Sequence, residues 1–134
     1  MDQRMLNLLR EAKVIAVVGI SNKPERPSHE VAAYLQEQGY RIVPVNPGLS
    51  EVLGRPCYPT LTACGEAVDI VDIFRASDAV PAIVDEAIAT GAKSIWMQEG
   101  VSHEEAAAKA ESAGLQVVQD LCIKKVLMSC GGRP

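Results

Sequence analysis

A parallel, doubly wound α/β sheet of five strands with helices on both faces is the architecture this sequence predicts, and three observations predict it. Short apolar runs alternate with helical patterns along the chain, so each crossover must lie across a sheet face. The runs show almost no polar alternation, as in strands covered from both sides. Glycines at positions 19, 39, 91 and 114 mark the passages between strand and helix.

Residues 2–11 carry a short apolar face of Leu6, Leu8 and Leu9, continued by Ala12, which predicts a lid-like helix packed on the domain. Val14, Ile15, Val17 and Val18 predict the first strand, which Gly19 ends abruptly. Ser28 is placed to cap a helix with Val31, Ala32 and Leu35 on one face, and Gly39 stops it. Residues 40–45 predict the second strand. Asn46, Pro47 and Gly48 then break the chain, and the stretch to Pro59 predicts an irregular crossover with a short extended piece at 55–58. A short helix is expected at 61–67 and the third strand at 68–74. The helix at 78–90 is expected to turn Ala79, Ala82, Ile83, Ala87 and Ile88 inward, with Pro81 in its first turn where proline is tolerated. Gly91 ends it, and residues 93–97 predict the fourth strand. Ser102 and Glu105 have capping-box spacing for a helix through Ser112. Gly114 stops that helix before a fifth strand at 115–118, a last helix to about residue 130 and a frayed end at 131–134.

A chain of 134 residues that is 48% apolar fits one domain, residues 1–134, with a core that needs no metal or disulfide staples. No apolar run approaches the roughly 20 residues of a membrane span, and residues 1–13 are too charged for a secretory signal. The expected location is the cytoplasm. A net charge of −4 with no cluster of Lys or Arg argues against nucleic-acid binding, which needs a basic face. Cys57, Cys64, Cys122 and Cys130 show no zinc-ligand spacing and read as reduced structural thiols. Cys122 follows the fifth strand closely enough to meet a ligand thiol if it borders the cleft.

The chemistry concentrates at the strand ends. The connection GISNKPERPS, residues 19–28, is longer than the roughly 2–6 residues usual between strand and helix in such units. It supplies Ser21, Asn22 and Ser28 as hydrogen-bonding groups and Lys23 and Arg26 as cations, beside a helix N-terminus that favours anions. That combination suits phosphate; the alternative is a solvated loop whose Ser28 only caps the helix. A nucleoside triphosphatase is disfavoured because the P-loop signature is missing. The dinucleotide fingerprint is degraded as well. Of its glycines only Gly19 is present, and the second strand ends in Asn46-Pro47 where an acid would meet the ribose of NAD.

Several ordered pieces resemble one family. They are VGIS with the following RPS, then GYRIVPVNP, LGRPCYPTL, VDIVDIFR, SIWMQEGV and VVQDLC, covering residues 14 to about 124. The chain resembles the small stand-alone coenzyme A-binding proteins, similar to the N-terminal domain of the succinyl-CoA synthetase alpha subunit. The resemblance implies a Rossmann-like domain that binds coenzyme A, free or as an acyl-CoA, along the carboxyl ends of its strands without catalysis of its own. It places Gly19, Ser21 and Lys23 around the diphosphate and brings Arg26 to a phosphate. Asn46 and Pro47 would wall the adenosine end, Phe74 and Arg75 would contact the ligand beneath, and Gln98 and Gly100 would follow the fourth strand at the same edge.

Other roles stay open for some of these residues. Phe74 is the only Phe and can equally be core; Arg75 can pair with Asp72 or Asp78; Trp96 reads as packing. Leu121 stands where the family pattern has a basic residue. The synthetase's phosphorylated histidine lies in a further domain, and His29 and His103 both read as helix-start residues, so no catalytic or metal-binding residue is assigned. The competing functions are a small NAD(P)-linked oxidoreductase, suggested only by the architecture, and a coenzyme A-binding subunit of a separate ligase. Apolar helix faces also allow a homodimer.

Overall fold

In the computed structural model, which describes residues 2–134, the first element is helix α1 (Gln3–Glu11), capped by the Asp2 carboxylate accepting from the Arg4 N–H at 2.8 Å. Strand β1 (Val14–Val18), helix α2 (Pro27–Glu37) and strand β2 (Arg41–Val45) follow. The crossover after β2 contains an antiparallel ribbon of β3 (Glu51–Val52) and β4 (Arg55–Pro56). Then come β5 (Ile70–Ile73), α3 (Val80–Thr90), β6 (Ser94–Met97), α4 (Glu104–Ser112), β7 (Gln116–Val118) and α5 (Ile123–Ser129).

The main sheet has five strands in the order β2-β1-β5-β6-β7, and every pairing is parallel. The chain steps from β1 to β2 on one side, then crosses back over β1 to reach β5 on the other. That reversal opens a crevice at the carboxyl ends of β1 and β5, where open α/β sheets bind their ligands. The fold is Rossmann-like, as the sequence predicts.

The central strands β1, β5 and β6 bury both faces, which is why their apolar runs lack polar alternation. Ala16, Val18, Val71, Ile73, Ile95 and Met97 pack against Val80, Ile83, Val84 and Ala87 of α3 and Ala106, Ala107 and Ala110 of α4. Ile15, Val17, Ile70 and Trp96 form the opposite face with Leu9 of α1, Val31, Ala32 and Leu35 of α2, and Ile123 and Leu127 of α5. Asp72 lies on this second face, in register with Val17 and Trp96, and is fully buried. Among the described residues no helix is long and apolar enough to cross a membrane.

Several local expectations are overturned. Helix α2 starts two residues earlier than a Ser28 cap requires, with Arg26 at the N-cap and Pro27 in the first turn. Helix α4 is capped by His103, whose Nδ1 accepts from the Ala106 N–H at 3.1 Å, so the Ser102 capping box does not form. The segment 61–67 makes only a 3-10 turn, Thr62–Cys64. On α3, Ala82 is exposed and Val80 and Val84 take the inward positions. The end of the chain is anchored rather than frayed. The Gly132 N–H donates to Leu127 O at 2.9 Å, the Arg133 N–H to Gln38 Oε1 at 2.9 Å, and the Arg133 guanidinium to Ala12 O at 2.7 Å while lying 4.3 Å from the Tyr40 ring centroid.

Candidate functional site

Gly19 is where the site begins. Its φ of +90° is in the left-handed region, and its N–H donates to Val45 O at 2.9 Å, continuing the ladder past the end of β1. A Cβ at this position would stand 2.5 Å from Phe74 O and 2.8 Å from Arg75 Cδ. The backbone after β5 therefore packs directly onto the turn after β1, and only glycine permits that approach. This contact joins the two halves of the crevice.

The loop beyond Gly19 is held by hydrogen bonds that are short in sequence range. The Ser21 N–H donates to Ser28 Oγ at 2.9 Å, and the Lys23 N–H donates to Ser21 Oγ at 3.1 Å. Ser28 thus braces the loop instead of capping α2. Asn46 fastens the same loop from the neighbouring strand: its Nδ2 donates to Ile20 O at 2.8 Å, and its Oδ1 accepts from the Gly48 N–H at 2.8 Å. A cavity of about 450 Å³ lies over this loop, lined by Gly19, Ser21, Lys23, Arg26, Asn46 and Phe74 among the expected residues. Ile20, Asn22, Pro27, Ser28 and Leu49 complete its wall. Pro47 is exposed and lies outside that lining.

A second cavity, of about 820 Å³, continues across the carboxyl ends of β5 and β6 between α2 and α5. Pro27 and Phe74 line both, so the two form one cleft along the sheet edge. Phe74 is half-buried against the second core, which makes it both a packing residue and a floor for the cleft. Arg75 and Gln98 line the second cavity with Val31, Val101, Cys122 and Met128. Gly100 does not; it is exposed, and its N–H donates to Asp120 Oδ1 at 2.7 Å in the turn after β6. Leu121 is exposed and serves through its backbone, where its carbonyl accepts from Trp96 Nε1 at 2.8 Å.

The electrostatics differ along the cleft. Lys23, Arg26 and Arg75 make no ion pair among the described residues, so three cations face the first cavity and its junction uncompensated. The alternative pairing of Arg75 with Asp72 or Asp78 does not form; Asp72 is sealed inside the sheet layer, and no ion pair joins Arg75 to Asp78 among the described residues. The lysines of the second cavity are matched instead: Lys124 pairs with Glu30 at 2.8 Å and Lys125 with Glu99 at 2.7 Å. Cys57, Cys64 and Cys122 are free thiols; burial pushes Cys57 and Cys64 above the ordinary thiol range, and Cys122 is half-buried in the cleft wall. Sequence reading missed the contribution of α5, whose cleft residues show only as ordinary helix positions until α5 is set beside α2.

Comparison with known proteins identifies the family. The family model described as "CoA binding domain" matches residues 13–128. A Bacillus subtilis protein, "Uncharacterized protein YneT", is 41% identical over 117 residues, covering 87% of each chain. A solved structure described as a hypothetical protein from Pyrococcus horikoshii OT3 superposes with a TM-score of 0.93 at 38% identity, covering 98% of this chain and 94% of that one. The ADP-forming acetate–CoA ligase I of Archaeoglobus fulgidus is 28% identical over 121 residues, which are 83% of this chain but 18% of the ligase. With a family model spanning nearly its whole length and a Rossmann-like sheet whose switch-point crevice carries the cations, the chain belongs to the CoA binding domain family.

Proposed function

We propose that this protein holds coenzyme A, free or acylated, along the carboxyl edge of its sheet and acts as a carrier or sensor rather than as an enzyme. The observation that carries this reading is the cluster of uncompensated cations, Lys23, Arg26 and Arg75, around a glycine turn at the switch point. A diphosphate suits that setting: it brings the negative charge the loop lacks, and the N-terminus of α2 points at the same space. Asn46 fixes the loop from the β2 side, where the adenosine would lie, and the pantetheine arm would run over Phe74 toward Gln98. The acids and lysines of the cleft are engaged with one another as Glu30–Lys124 and Glu99–Lys125, which favours holding over turnover.

A thermal-shift series tests this reading. At about 100 times its dissociation constant, coenzyme A should add about 2.7 kcal/mol of stability, a rise of a few degrees for a domain of this size. NAD(H) and NADP(H) should add nothing, and the double variant Lys23→Glu/Arg75→Glu should lose the rise while its unliganded midpoint stays near that of the parent. A rise with a nicotinamide nucleotide alone would replace the proposal with a redox function. The match to a small part of a ligase supports a second reading, a coenzyme A-binding subunit that serves a separate ligase chain. Recovery of such a chain with the native protein would favour it, and recovery of this chain alone would count against it.

A further inference from the structure

We propose that the second cavity seats the acyl group of a coenzyme A thioester, so that the ligand this cleft selects is an acyl-CoA with a short, uncharged, apolar acyl chain. The inference rests on the coenzyme A reading above and goes beyond it by naming the acyl class. The larger part of the cleft is the part the phosphates do not need. At about 820 Å³ it exceeds the 450 Å³ over the phosphate loop, and the shared Pro27 and Phe74 make it the continuation of that site. A ligand anchored at Gly19 by its diphosphate, with its adenosine toward β2, must run in this direction.

The walls specify the chemistry. Val31, Phe74, Val101 and Met128 offer apolar surface, and Met128 leaves 58% of its area exposed with nothing packed over it. The nearby lysines are already paired with Glu30 and Glu99, so a carboxylate on the acyl chain would find them engaged. Arg75 also lines this cavity, at the end where its side chain lies across Gly19 beside the phosphate loop. One polar group is set into the apolar wall: Gln98 is only 5% exposed and lines the cavity. Its Oε1 accepts from the Ile123 N–H at 3.2 Å, which fixes the amide, while its Nε2 has no hydrogen-bond partner among the described residues. An amide held in this way turns its donors to the open side of the cavity, where an acceptor on the ligand can take the place of water. A thioester carbonyl followed by an alkyl chain supplies both the acceptor and the apolar contact.

Calorimetric titration of the whole protein with coenzyme A, butyryl-CoA and succinyl-CoA tests the inference. Butyryl-CoA should bind at least about tenfold more tightly than coenzyme A, because its propyl group leaves water for the apolar wall. Succinyl-CoA should gain nothing over coenzyme A. In Met128→Glu, a change at an exposed position, the ratio of butyryl-CoA to coenzyme A affinity should fall toward one. Gln98→Glu keeps an acceptor for Ile123 and removes the donor, and it should reduce the same ratio. Equal affinity for coenzyme A and butyryl-CoA, or preference for succinyl-CoA, would overturn the acyl assignment while leaving coenzyme A binding intact. No saturation by any of the three would instead defeat the coenzyme A reading, and the acyl assignment with it.

Discussion

Both carboxylate oxygens of Asp72 lie inside the sheet layer, in register with Val17 and Trp96, with no hydrogen-bond partner among the described residues. Desolvation there disfavours the charged form and pushes its pKa well above the ordinary carboxylate value. The sign of the linkage follows. Above the ordinary carboxylate pKa, about 4, the unfolded chain gives up this proton while the folded chain keeps it. The unfolded state then binds fewer protons, and stability is lost as pH rises toward the elevated folded value. Asp72→Asn, neutral at every pH and of the same shape, should therefore be the more stable protein at pH 8, by more than about 1 kcal/mol. Urea unfolding of both proteins at pH 5 and pH 8 checks this: the advantage of the variant should grow with pH, and an advantage that stays constant would mean that Asp72 does not titrate as described. Nothing in the string VDIVDIF announces this carboxylate. Two acids appear there three residues apart, yet Asp69 finds the Lys13 and Val14 backbone N–H groups at 2.8 and 2.9 Å while Asp72 finds none.

Among the elements, the connection from β1 to α2 decides whether the cleft exists. Gly19→Ala would force a methyl against Phe74 O, a backbone atom that cannot step aside, at a φ that alanine resists. We expect a loss of roughly 2–4 kcal/mol in urea unfolding, accompanied by loss of coenzyme A binding. An unchanged midpoint would contradict the close approach of the two strand ends. The strands themselves were legible because a strand covered on both faces is mostly apolar, and β1, β5 and β6 carry only Asp72 and Ser94 as polar residues. The caps were less legible. Ser28 and Ser102 both have cap chemistry, but whether a side chain caps depends on where the chain enters the helix, and Ser28 is drawn into the loop by the Ser21 N–H. The same limit governed the site. Gly19, Ser21, Lys23 and Arg26 are adjacent in sequence and could be read as one loop, whereas Gln98, Cys122 and Met128 meet only through the packing of α5 beside α2.

At the scale of the whole molecule, Arg133 draws the last residues onto the first layer of the fold. Its guanidinium donates to Ala12 O at 2.7 Å and stacks 4.3 Å from the Tyr40 ring, and Tyr40 in turn donates its hydroxyl to Leu9 O. Burial raises the Tyr40 hydroxyl to about 12 despite the opposing effect of Arg133, so it remains a donor through the neutral range. Arg133→Ala should cost about 1–2 kcal/mol through the lost cation–π contact and hydrogen bonds, and Arg133→Lys should recover little of it because a lysine lacks the planar fork. Guanidinium unfolding curves for the three proteins decide this, and an unaltered midpoint in Arg133→Ala would show the anchor to be energetically idle. The second core has an optical consequence too. Trp96 is the chain's only tryptophan, fully buried behind the cleft wall with its indole N–H tied to Leu121 O, while the phosphate loop is lined by neither Trp nor Tyr. Ultraviolet emission from this molecule therefore watches the α5 side of the cleft and is blind to the loop, so a ligand seated only on its phosphates can bind in the dark.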